Sequence, residues 1–297
     1  MRKYKFILPC LITLSLILSS VTLSAQTTDY LRRYNILLDR VGPAGVGMET
    51  LIQNWSVAEP DSPDMLTARF YYHIAKAQGT EVVARKEAKY LGATPMLTLQ
   101  DSTGTDVHYY EVLKYDDELF AEALKSVDQA ISVHPQRLDF RFMKANAYLS
   151  YERESPDMAL SNILGLVHDF MTSGRTWTYK EGAEVIEVDS DLFAQMIQDY
   201  CVTLYTLGSP NSYQAFHKLS EKMNVCFPKN PIFIANMGSY QMVVAKDPKG
   251  ALKYYDKALK LDPKARDIIN NAILAARELQ NSKLEKKYVK MLQQSLN

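Results

Sequence analysis

The chain has 297 residues, of which 34 are basic and 34 acidic, with 47% apolar and 23% charged residues and three cysteines. That length suits one repeat array or two ordinary domains. A formal net charge of zero excludes a global electrostatic attraction for nucleic acid or for an anionic membrane.

Arg2, Lys3 and Lys5 precede an apolar run from Phe6 to Leu23, and Ser24-Ala25-Gln26 follows with small residues. This is the pattern of a secretory signal peptide. Ser15, Ser19, Ser20 and Thr22 make the run a weak permanent span. Cleavage is expected after Ala25, which leaves residues 26–297 as one exported domain, periplasmic or secreted. A bacterial lipid anchor needs a cysteine at the end of the apolar run, and Cys10 lies inside it. No later stretch approaches the length of a membrane span, so no membrane insertion is expected after signal removal. Losing three basic residues leaves 31 against 34 acidic, a net charge of −3.

Helical periodicity divides the remainder into pairs. Residues 29–41 and 46–58 form the first, around Gly42-Pro-Ala-Gly45. Residues 64–78 open a second pair whose other helix, 117–133, comes only after an insert, 79–116. The insert is expected to hold a short helix, 80–90, and then a hairpin, 96–100 with 107–115, turning through Asp101-Ser-Thr-Gly104. Residues 138–151 and 156–171 form the third pair. A second insert, 174–189, reads as a hairpin of 176–179 and 183–188 about Lys180-Glu-Gly182. Residues 191–207 with 212–226, 231–246 with 248–261, and 265–279 with 282–296 complete the series. Laid antiparallel, the fourth pair sets Cys201 opposite about His217. Cys226 is then about 13.5 Å further along at ~1.5 Å per residue, beyond disulfide reach, so two free thiols are expected.

Two segments repeat in register. Ala123, Ala130 and Pro135 in one, and Ala251, Ala258 and Pro263 in the other, share spacings of seven and five. Small residues seven apart lie on one side of a helix and let a neighbour approach, while the proline stops the helix. Gly238 stands where the preceding helix needs a close-contact residue, thirteen residues before Ala251. With these residues the chain resembles the tetratricopeptide repeat (TPR) family. The resemblance implies an all-α, right-handed solenoid of about six helix pairs, with first helices lining a concave groove and second helices on the convex side. It implies a protein or peptide partner in that groove. Asn236 and Asn271, at equivalent positions of the last two first helices, and Tyr240 are the expected partner-binding residues.

Residues that could carry chemistry are few. The five histidines make no pair at metal-holding helical spacing, and neither HExxH nor CxxC occurs. Gly42-Pro-Ala-Gly-Val-Gly47 lacks the Lys-Ser/Thr of a phosphate loop and follows a helix. No catalytic residue, cofactor site or metal site is expected. Lys249, Lys253, Lys257, Lys260 and Lys264 line one helix face, which reads as a solvated exterior or else as a basic patch for an acidic partner. The expected function is a non-enzymatic scaffold for protein–protein interaction in the bacterial cell envelope. The alternatives are an accessory role in envelope assembly or glycan uptake, and an enzyme whose site lies in the first insert around His108, Asp101, Asp106 and Glu111.

Overall fold

A computed structural model describes residues 29–296. The expected signal peptide and its cleavage point lie outside the described residues. Within them the chain is mostly helical, with twelve helices, a three-stranded antiparallel sheet and a two-stranded one. Its contacts group into two compact units, one of residues up to Gly79 with Lys114–Pro135, the other of Thr80–Leu113 with Gln136 onward.

The first unit contains α1 (29–41), α2 (Met48–Ala58), α3 (Pro63–Ala77) and α4 (Asp117–Val133). Trp55 is fully buried, with Tyr30 stacked on it at 6.0 Å and Tyr34 tilted against it at 6.1 Å. Ala123 and Ala130 are buried in α4, which packs along α3. The Asp116 N–H donates to the Ala77 carbonyl at 2.8 Å. The first insert therefore leaves and returns at a single point between two paired helices, which is why so long an interruption leaves their packing intact.

In the second unit that insert forms a sheet of β1 (Gln78–Arg85), β2 (Leu97–Gln100) and β3 (Asp106–Tyr115), in the order β1-β3-β2. The hairpin is the expected one. The helix expected over 80–90 is not formed: Thr80, Val82 and Val83 are β-branched and favour strand, and β3 supplies a ladder for their backbone groups.

Four helix pairs make up the rest: α5 (Leu138–Tyr151) with α6 (Asp157–Thr172), α7 (Ser190–Leu207) with α8 (Pro210–Cys226), α9 (Pro231–Val243) with α10 (Pro248–Leu261), and α11 (Arg266–Glu278) with α12 (Ser282–Gln294). Each packs on its own partner and on the next pair: α7 meets α9, α9 meets α11, and α6 meets α8. Local chemistry places the starts. Asp189, Ser209, Asn230, Asp247 and Asn281 each accept a hydrogen bond from a first-turn N–H, and Pro210, Pro231 and Pro248 occupy early positions where no N–H is needed. Pro135 and Pro263 each stand in the turn two residues beyond a helix end.

Ala251 and Ala258 are fully buried. A Cβ built on Gly238 would lie 2.6 Å from Tyr255 Cε1, so α9 and α10 meet through bare backbone at this point. The extra residue between Gly238 and Ala251 is taken up outside the helix. α9 ends at Val243 instead of Lys246, and Lys246 adopts a left-handed φ of 54°.

The second insert, β4 (Thr178–Glu181) and β5 (Glu184–Glu187), turns at Gly182-Ala183, one residue later than expected, because Glu181 pairs with Glu184. It is part of the core. Trp177 is 2% exposed and stacks on Phe170 at 5.9 Å, the Thr178 N–H donates to the Gln136 carbonyl, and Val188 is buried.

Ala258→Leu is expected to destabilise by about 1–3 kcal/mol through overpacking, whereas Lys257→Leu on the exposed face should stay within about 0.5 kcal/mol. Equal melting temperatures would remove the close-packing explanation of the repeat. Trp177→Ala is expected to cost about 3–5 kcal/mol in chemical denaturation, and a loss typical of a surface loop would mean that the hairpin is not part of the core.

Candidate functional site

The face shared by α5 and α7 holds a recess of about 330 Å³ beside β4. Its aromatic wall is Phe142, stacked on Tyr200 at 5.6 Å and edge-on to Tyr179 at 6.2 Å. The Tyr200 hydroxyl donates to Asn146 Oδ1 at 2.7 Å, with the Phe142 carbonyl a second acceptor at 3.3 Å. Burial, with Tyr179 and Asp199 adding repulsion, holds the Tyr200 phenol far above its ordinary pKa, so it stays a donor. That bond fixes the Asn146 carboxamide by its oxygen and leaves its two N–H donors available on an exposed side chain. Asp199 and Thr203, both exposed, complete the rim. One apolar wall, one oriented donor and one carboxylate acceptor thus face one opening.

The expected groove residues are distributed differently. Asn236 is 8% exposed, and its Nδ2 donates to Gln198 Oε1 at 2.8 Å, so it ties α9 to α7. It also touches Cys201, whose thiol is pushed up to about 12 by burial against the opposing pull of Ser220 and Asn236. Tyr240, one turn further along α9, leans on α8: its hydroxyl accepts from Gln214 Nε2 at 2.8 Å and its ring lies 4.2 Å from that of His217. Asn271 is half-buried on α11. These three do not gather at one opening. Gln198, Asn146 and Asp199 lie on helices without a strong repeat signature, and no short-range pattern marks them.

Lys249, Lys253, Lys257 and Lys260 are exposed along the outer side of α10, and Lys264 is exposed in the turn beyond it. Lys287 on α12 is paired with Asp256 at 3.0 Å. In the first insert Asp101, Asp106 and His108 each bond within their own hairpin. Asp101 accepts from the Thr103 hydroxyl and from the Thr103 and Thr105 N–H groups, which holds its carboxyl below the usual range. His108 Nδ1 bonds Thr98 Oγ1 at 2.8 Å, and Asp106 accepts from Gln100. Among the described residues no three His, Cys, Asp or Glu side chains lie where they could share a metal ion.

A larger cleft, about 790 Å³, runs between the insert loop after β1 and the turns that close α5/α6 and α7/α8. Tyr90 donates to the Glu154 carboxylate, and the Arg85 guanidinium lies 4.6 Å from the Tyr90 ring centre and 3.4 Å from Glu154. Arg153 donates to the Leu91 carbonyl at 3.1 Å, where Leu91 has a left-handed φ of 48°. A Cβ on the next residue, Gly92, would strike the Thr206 carbonyl at 2.6 Å. The cleft is the seam by which the insert is fastened to the helix pairs, through Arg85, Tyr90, Arg153 and Glu154.

Compared with known proteins, the chain matches no family model and no curated protein.

Cys201 and Cys226 are both free, as expected, with Cys201 buried and Cys226 half-buried. Because the thiolate is the reactive form, Ellman titration of the chain lacking residues 1–25 should show one promptly reacting thiol in the native state and two after denaturation. Two prompt native thiols would mean that the α7/α8 interface opens readily.

Proposed function

We propose that this chain is an exported, TPR-like stack of helix pairs in the bacterial envelope that holds an extended segment of a protein partner against its first-helix face, without catalysis. The observation that carries the reading is the recess between α5 and α7, where Tyr200 orients Asn146 beside Asp199 over an aromatic wall. An extended peptide offers carbonyl acceptors and N–H donors at short intervals. Asn146 suits the first and Asp199 the second, while Phe142 and Tyr179 suit an apolar side chain.

Several further features support it. Small residues at Gly238, Ala251 and Ala258 and the contacts of α7 with α9 and α9 with α11 are what a stacked-pair solenoid requires. The buried tyrosines and the Asn236–Gln198 link keep that face rigid, which lowers the entropy lost on binding. No helix among the described residues is long and apolar enough to cross a membrane, which is compatible with a chain released from its leader.

Photo-crosslinking in the producing cell tests the reading. A benzoylphenylalanine placed at Thr203 is expected to capture a specific protein, and one at Lys257 is not. Asp199→Ala, on an exposed side chain, should then weaken the purified partner segment about 5–10-fold, the worth of one hydrogen bond, with an unchanged melting temperature. Capture from Lys257 alone would transfer the site to the basic face of α10.

A further inference from the structure

The rim of the α5/α7 recess carries a charge that the chain leaves unanswered. The Asp199 carboxylate makes no hydrogen bond or ion pair among the described residues, and its side chain is exposed. Thr203, one turn later on α7, donates its hydroxyl to the Asp199 carbonyl at 2.9 Å, which leaves the hydroxyl's own lone pairs open. Against these acceptors stand the rings of Phe142, Tyr179 and Tyr200. A carboxylate at the mouth of an aromatic recess favours a cation, which is attracted both by the charge and by the rings. The surroundings have the same sign. Residues 176–199 hold six acidic side chains, Glu181, Glu184, Glu187, Asp189, Asp191 and Asp199, and one basic one, Lys180. Lys180 follows Tyr179 along β4 and so takes the opposite face of the strand. The cations of α5 and its start are engaged elsewhere: Arg137 with Asp139, Arg141 with Asp169 at 3.0 Å, and Lys144 over the Tyr148 ring.

We infer that the recess receives a lysine side chain of the partner segment, an assignment that rests on the groove reading above and names the residue it selects. A volume of about 330 Å³ lies at the small end for ligand sites and suits one long side chain. The methylene stem lies along Phe142 and Tyr179, as the stems of lysines do on apolar surfaces. The ammonium, with three donors and no acceptor, meets the Asp199 carboxylate and the Thr203 hydroxyl. Asn146, whose free N–H groups are donors, then serves a backbone carbonyl of the same segment. A wholly apolar side chain would cover the same wall but would strip water from Asp199 without replacing it, which is costly for a charged group.

Two acetylated and amidated pentapeptides test this, Ala-Ala-Lys-Ala-Ala and the same peptide with norleucine at its centre, which keeps the stem and lacks the ammonium. Each is titrated into the isotopically labelled chain lacking residues 1–25 while the NMR signals of Asn146 and Thr203 are followed. The lysine peptide should saturate the shifts at a concentration about 5–10-fold lower than the norleucine peptide, as a rim ion pair and a ring contact together provide. Asp199→Asn should bring the lysine peptide to the norleucine level and leave the norleucine peptide unchanged. Equal binding of the two peptides, a lysine preference that survives Asp199→Asn, or no shift with either peptide overturns the assignment. Photo-crosslinking from Thr203 judges the groove reading separately. A captured segment with no lysine beside the crosslink would leave that reading standing and remove this one.

Discussion

The contact at Gly238 sets the geometry of the C-terminal pairs. Tyr255 presses its ring where any side chain on that residue would stand, and Ala251 and Ala258 keep the facing helix equally close. Helices that meet through bare backbone have little freedom of spacing, because interiors pack at crystal-like density and neither gap nor overlap is tolerated cheaply. From that spacing follows the position of α9 against α7, and from it the bond between Asn236 and Gln198. A polar link of this kind, shielded from water, resists sliding of one first helix past the next.

The two inserts show different ways of adding chain to helix pairs. The 174–189 hairpin enters the core by one large side chain, Trp177, whose burial is worth more than the short ladder it accompanies. The 79–116 insert stays outside and is held by polar contacts from Tyr90, Arg85 and Arg153. Leu91 keeps its unfavourable backbone conformation because those contacts over-determine the loop around it.

Asn236 and Tyr240 illustrate how a repeat position differs from a repeat role. Spacing along α9 was expected to offer both to a groove, and in the fold both face neighbouring helices. Whether such a side chain is offered to a ligand depends on what the neighbours bring, and Gln198 and Gln214 reach them first. One pair earlier, Tyr200 does the reverse: by donating to Asn146 it turns the carboxamide N–H groups outward. The candidate site thus rests on a buried tyrosine whose phenol is kept protonated by its surroundings.

Most helix limits, the proline stops, the buried alanines, the close approach at Gly238 and both hairpins were legible in the residues alone, because each depends on partners a few positions away or on a period of 3.6 or 2 residues. The strand over 78–85 was not, since its β-branched residues compete with charged helix formers and only the presence of β3 decides between them. Nor were Asn146, Asp199 and Gln198, or the anchoring by Trp177 and Glu154. Those roles arise from side chains brought together across dozens of residues by packing, where no local periodicity records the neighbour. The sequence by itself determined which segments form the paired helices and which of their faces must be small. Tertiary structure alone decided which polar groups satisfy one another and which are left facing outward.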